Sequence, residues 1–288
     1  MINWDREGDL VAAIARRRSV LVIGSGVSRN SVNKHGERPE SWEGFLRKCS
    51  LRLGKPSEVE KLIDRKDFLL ACQIIKDRLE DFTSIVQSEY QLKGFNAAKI
   101  HQHLYDLDVS ITLSPNFDNI YDDFCRTASS GTYVIKNYSS SDTISYIRGV
   151  NCRLLIKIHG AANDPDSVMF TAHDYSQARI KCRHFYEIIK SLAITHTFFS
   201  VGCGVDDPDI KILFEDIRFS YGRIPNHYMT IPYGEIDESI KRYLSESLHV
   251  KFLEYDSANG HVQLISSIES LVSHVEIKRD EIKSSRLW

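Results

Sequence analysis

Three short stretches of this chain hold residue types that can act on a phosphorylated ligand. The first is Gly24-Ser25-Gly26-Val27-Ser28, which directly follows the apolar run Val20-Leu21-Val22-Ile23. Glycine removes the Cβ that would keep a ligand away and permits a tight strand-to-helix turn, whose backbone amides can meet a nucleotide pyrophosphate. The ordinary dinucleotide fingerprint wants a third glycine three residues after the second. That position is Arg29, which disfavours a standard hydride-transfer dehydrogenase. The second stretch, Asn116-Phe117-Asp118, delivers an amide and a carboxylate two residues apart, and Pro115 keeps Ser114 extended before it. The third is His159-Gly160, at the end of Leu154-Leu155-Ile156-Lys157-Ile158. An amide orients a reacting group without adding full charge, and an imidazole exchanges a proton near neutral pH.

Each stretch also has a plainer explanation. The glycine loop can be a structural turn, Asn116 can cap a helix starting near Phe117, and a lone histidine is more often a satisfied core residue than a catalyst. The segment Asp207-Pro208-Asp209 reads equally well as a helix start, with proline in the first turn and acids favoured by the dipole.

The elements that must carry these residues read as an α/β fold. A helix is expected over 5–17 and a first strand over 19–23. From Ser41 to Asp106 the apolar spacing (Phe45, Leu46, Cys49, then Phe68, Leu69, Cys72, Ile75, Leu79, Phe82) suits helices with one buried face. After Asp118 the pattern predicts a helix over 119–127, short strands near Tyr133 and Ile144, and the strand ending at His159. Helices over 182–194, 208–219, 235–245 and 260–273 then alternate with strands over 196–201, 226–231 and 249–254. Such alternation implies a Rossmann-like parallel sheet with helices on both faces and an inserted helical module. The expected division is 1–40 and 107–273 for the Rossmann-like domain, 41–106 for the helical insertion and 274–288 for a C-terminal tail. That tail reads as frayed, or as a partner contact through Trp288. In open parallel sheets ligands bind beyond the carboxyl ends of strands, so the three stretches should converge on one crevice.

Taken in chain order, Gly24 to Ser28, Asn116 to Asp118 and His159-Gly160 resemble the sirtuin superfamily, with its Gly-x-Gly-x-Ser, Thr-x-Asn-x-Asp and His-Gly segments. A fourth block, Phe198 to Ile210, is similar to the family's later strand and glycine turn beside the ribose of NAD. The resemblance covers roughly residues 15 to 255 and is closest to bacterial sirtuin-like proteins of anti-phage defence. It implies that Asn116 and His159 are catalytic. It also implies that Gly24, Ser25, Gly26, Ser28, Asp118, Gly202, Gly204 and Asp207 bind NAD. Two departures stand out: Ser114 replaces the usual threonine and Gly204 a frequent serine. The paired Cys-x-x-Cys zinc ribbon of protein-deacylating sirtuins has no counterpart. Cys49, Cys72, Cys125, Cys152, Cys182 and Cys203 are scattered, so no metal is expected.

The activity this implies is cleavage of NAD to nicotinamide and ADP-ribose with water as acceptor. An NAD-dependent protein deacylase and a non-catalytic NAD- or ADP-ribose-binding assembly subunit are the alternatives. An unrestrained NAD hydrolase would starve its own cell. The resemblance therefore also implies a homo-oligomer, a HerA-type hexameric ATPase partner and an abortive role in infection. With 26% charged residues and a net charge of −2, the chain has no global attraction for nucleic acid or anionic membrane. No run approaches the roughly 20 apolar residues of a membrane span, and a cytoplasmic location is expected.

Overall fold

The computed structural model describes residues 1–148, 152–204 and 226–285. Seven strands form one sheet in the order β3-β4-β2-β1-β5-β6-β7, every neighbouring pair parallel. They are β1 Ser19–Ile23, β2 Ile111–Ser114, β3 Val134–Asn137, β4 Leu154–Lys157, β5 Thr197–Val201, β6 His227–Pro232 and β7 Val250–Tyr255. The central strand β1 shows why both faces must be covered. Leu21 and Ile23 enter one apolar cluster and Val20 and Val22 another, following the period-two alternation of a strand.

The first cluster is closed by α1 (Gly8–Ala15), α7 (Lys99–Asp106), α8 (Ile120–Ala128) and the long final helix Ala258–Ser285. The second is closed by α11 (Arg183–Thr195) and the helix Glu238–Leu248. The Rossmann-like architecture expected from the pattern is therefore the one observed.

Between β1 and β2 run the short α2 (Ser25–Ser28), then α3 (Trp42–Ser50), α4 (Pro56–Asp64), α5 (Phe68–Arg78), α6 (Phe82–Tyr90) and α7. Helices α3 to α6 enclose their own core around Phe45, Leu46, Val59, Ile63, Ile75 and Phe82. Their starts are set locally: the Ser41 side chain accepts from the Gly44 amide, Pro56 opens α4, and Asp67 accepts from Leu70.

Two elements differ from expectation. The segment around Ile144 is a helix, α9 (Thr143–Arg148), not a strand. A serine-rich turn precedes it, the Thr143 hydroxyl bonds back to the Ser140 carbonyl, and adjacent Tyr146 and Ile147 both pack on the second cluster, which strand alternation would forbid. The expected frayed tail is instead helical through Ser285, because Val275 and Ile282 are buried. The expected helix over 208–219, Asp207 and Trp288 lie outside the described residues.

Candidate active site

The carboxyl ends of β1, β2, β4 and β5 meet at one edge of the sheet. Ser114 pairs with Lys157 across β2 and β4, so Asn116 and His159 each stand two residues past a matched pair. Neighbouring parallel strands lie about 4.8 Å apart, and the two chains leave the sheet side by side. They stay together afterwards, since the Ala162 amide donates to the Phe117 carbonyl at 2.8 Å. Asn116 is 8% exposed and His159 4%.

Each of these side chains is held. Asn116 Nδ2 donates to Ser28 Oγ at 3.1 Å, joining the end of β2 to the glycine loop, and the Asn116 amide donates to Ser114 Oγ at 3.3 Å. Serine at 114, where the resemblance has threonine, thus keeps the hydroxyl in use. His159 Nδ1 lies 3.3 Å from the Tyr175 hydroxyl, with the two rings edge to face at 5.1 Å. Tyr175 sits in α10 (Ala172–Lys181), whose first turn is a capping box: Thr171 Oγ1 accepts from the Asp174 amide while Asp174 accepts from the Thr171 amide, both at 3.1 Å. Asp174 also meets Lys76 of α5 at 2.9 Å, which links the helical segment to the helix behind His159. That salt bridge and the two backbone amides hold the Asp174 carboxyl below its usual range, although burial opposes them.

Gly24, Gly26 and Gly202 are required by close backbone approach. A Cβ on Gly24 would lie 2.2 Å from the Gly202 carbonyl oxygen, and one on Gly26 would lie 2.9 Å from Gly202 Cα. Gly202 has φ +67°, a left-handed conformation that favours glycine. The Gly24 amide donates to Val201 and the Gly26 amide to Gly202, both at 2.9 Å. The expectation that these two amides face a pyrophosphate therefore needs correction: here they bind the end of β5 to the end of β1. Ser25 is exposed, Ser28 buried and Gly204 exposed at the margin of the described residues.

Asp118 is not placed as a base. Its Oδ1 accepts from the Ile120 amide at 3.0 Å, so Asp118, and not Asn116, receives the amide that opens α8. Below it lies a pair that the motifs did not reveal. Lys157 is 2% exposed and donates to the Asp118 carbonyl at 2.5 Å, and its Nζ is 3.2 Å from Asp122, itself 3% exposed. Burial pushes the Asp122 carboxyl up, opposed by the lysine charge. A lysine inside the buried run Leu-Leu-Ile-Lys-Ile was the available signal, because a buried ammonium demands a partner. Ser31 Oγ was missed as well; it is buried with no hydrogen-bond partner among the described residues.

The helical core is continuous with this edge. Phe117, between Asn116 and Asp118, packs on Phe170 with centroids 4.3 Å apart and on Tyr90 at 5.9 Å; Ala162 and Phe170 belong to the same cluster as Phe45 and Phe82. A cleft of about 530 Å³ lies elsewhere, at the amino ends of the strands. The carboxyl edge holds the three motifs and is where open parallel sheets place their chemistry.

Residues 111–253 match the family model described as a SIR2-like domain, from the first residue of β2 to within β7. The match includes Asn116 and His159 and stops short of the Gly24–Ser28 loop. A curated relative, "NAD(+) hydrolase ThsA" from Enterococcus faecium, is 28% identical over 219 residues, which is 72% of this chain and 41% of that protein. The chain thus spans about two fifths of that relative's length. Among the described residues no group of three or more His, Cys, Asp or Glu could hold a metal ion, and no helix is long and apolar enough to cross a membrane.

Proposed function

We propose that this chain hydrolyses NAD to nicotinamide and ADP-ribose. The observation that carries this reading is the pairing of Asn116 and His159 at matched positions on adjacent strand ends, with Asn116 bonded to Ser28 of the glycine loop. The printed activity of the relative in Enterococcus faecium supports it.

Nicotinamide is a good leaving group because the pyridinium nitrogen takes the bonding electrons and departs neutral. The cation left on the ribose is what needs help, as in glycoside hydrolysis. Asn116 orients the attacking water and the ribose, His159 takes the proton as the water oxygen bonds to the anomeric carbon, and Tyr175 holds the imidazole. With the amides of Gly24 and Gly26 engaged, the loop serves NAD through Ser25, Ser28 and its lack of side-chain bulk. Asp118, Gly202, Gly204 and Asp207 complete the binding surface we assign. We further propose a cytoplasmic anti-phage effector that depletes NAD when activated. Its division is a helical insertion over 41–106 and a tail over 274–288, and its restraint is a homo-oligomer or a HerA-type ATPase.

Nicotinamide release from NAD, with and without an acetylated peptide, tests the activity. Release without peptide is expected, and Asn116→Ala and His159→Ala should each lower it by about 100-fold or more, the scale for loss of a general base or a key electrostatic group. Strict dependence on peptide would make the chain a deacylase. Full turnover in both folded variants would move the active centre elsewhere.

A further inference from the structure

Helix α5 reaches the helix behind His159 through two contacts. Leu69 packs against the small apolar cluster of Met169, Tyr175 and Ala178. Lys76, in the last turn of α5, meets both carboxylate oxygens of Asp174, at 3.0 and 2.9 Å. Asp174 lies in the first turn of α10. A cation near a helix C-terminus and an anion near an N-terminus are each favoured by the helix dipole, so the pair joins two helix ends that both suit it.

Asp174 is the hub of the turn that leads into α10. Its Oδ2, which meets Lys76, also accepts from the Phe170 and Thr171 amides, both at 3.1 Å. Burial raises the Asp174 carboxyl, but Lys76 and the two amides outweigh it and hold it below its usual range, ionised at neutral pH. Residues on both sides of this hub touch the active edge. Phe170 packs on Phe117, between Asn116 and Asp118; the Met169 amide donates to the His159 carbonyl at 3.0 Å; and the Tyr175 hydroxyl lies 3.3 Å from His159 Nδ1.

Apolar packing is not directional, and the core shared by Phe45, Phe82 and Phe170 already docks the helical segment here. An ion pair with 40% of the Lys76 side chain and 19% of the Asp174 side chain exposed adds little stability to that packing. A charge-assisted bond to two oxygens instead fixes direction. We infer that Lys76 is a positioning residue for His159: by holding Asp174 it sets the first turn of α10, and with it the Tyr175 hydroxyl that orients the imidazole. The helical segment between β1 and β2 then belongs to the catalytic apparatus, and a displacement of α5 is felt at His159. Lys76 has this role in turnover only if His159 is the base proposed above, whereas its hold on the imidazole exists without NAD.

Kinetics and histidine-selective NMR on the full chain test both parts, with Lys76→Met, Lys76→Arg, Tyr175→Phe and the double variant Lys76→Met/Tyr175→Phe. Lys76→Met should lower kcat for nicotinamide release about three- to tenfold, a fraction of the roughly 100-fold assigned to the base itself, with KM and the denaturation midpoint little changed. In the Tyr175→Phe background the same substitution should add less than about twofold, because both act through one bond. Lys76→Arg, which keeps the charge, should retain most of the activity. The His159 ring signal, identified by its absence from His159→Ala, should move in Lys76→Met in the same direction as in Tyr175→Phe. An unmoved ring signal, effects of the two substitutions that multiply, or an equal loss in Lys76→Arg would each overturn the positioning role. A wild type that releases no nicotinamide while the ring signal moves would overturn the proposed activity and leave the hold of Lys76 on the imidazole standing.

Discussion

The two edges of the sheet use the same strands to opposite ends. At the carboxyl edge Asn116, Ser28 and His159 are buried, with Asn116 bonded to Ser28 and His159 to Tyr175, and the ion pair of Lys157 with Asp122 is sealed beneath them. At the amino edge Arg17 and Asp108 are half-exposed, and Arg153 and Arg279 stand near the same carboxylate, with Glu276 pairing Arg279. Buried charges must be paired because desolvation penalises them, whereas water and salt screen exposed ones. The first edge therefore fixes its geometry by burial, whereas the ion pairs of the second are open to water.

The sharpest test of that contrast removes one member of an ion pair at each edge. Asp122→Ala leaves the Lys157 ammonium buried and should lower unfolding stability by about 3–5 kcal/mol in chemical denaturation. Arg17→Gln should change it by less than about 1 kcal/mol. Similar losses from both would erase the distinction.

Acid should act through buried groups. Burial lowers His101 to about 4 and His227 to about 3, from 6.5. Below about pH 6.5 the unfolded chain takes up protons that these folded imidazoles refuse. Stability should therefore fall as pH drops from 6.5 toward 4, by about 1.4 kcal/mol per pH unit for each histidine, while pH above 6.5 leaves this contribution unchanged. Denaturation midpoints flat between pH 7 and 4.5 would show that neither histidine is buried as described.

The smallest effect concerns Tyr175. Loss of its hydroxyl in Tyr175→Phe keeps the ring contact and removes the bond to His159 Nδ1, worth about 1 kcal/mol. We expect kcat for NAD hydrolysis to fall several-fold and the acidic limb of its pH profile to shift, with KM little changed. An altered KM with an unmoved profile would make Tyr175 merely structural.

Much of this architecture was legible along the chain. Strands β1, β2, β4 and β5 lie in short runs rich in apolar residues and followed by Gly, Pro or His, and the helical segment shows one-sided apolar spacing. Helix α9 was not legible, because Tyr146 and Ile147 become neighbours of the second apolar cluster only once β3 and β4 have paired. The end of the final helix escaped for a similar reason: Val275 and Ile282 are sparse apolar residues among charges until a helix lines them up against the rest of the chain.

The motifs Gly24 to Ser28, Asn116 to Asp118 and His159-Gly160 were all visible from residue type and local spacing, which depend only on neighbours in the chain. Their meeting was not. That Asn116 bonds Ser28, that Tyr175 faces His159 and that Lys157 finds Asp122 are contacts across 88, 16 and 35 positions. Parallel pairing of β1, β2 and β4 and the placement of α2, α8 and α10 at their carboxyl ends decide them, because they bring distant residues to one level; a lysine or a tyrosine carries no mark in the sequence of which strand end it will serve.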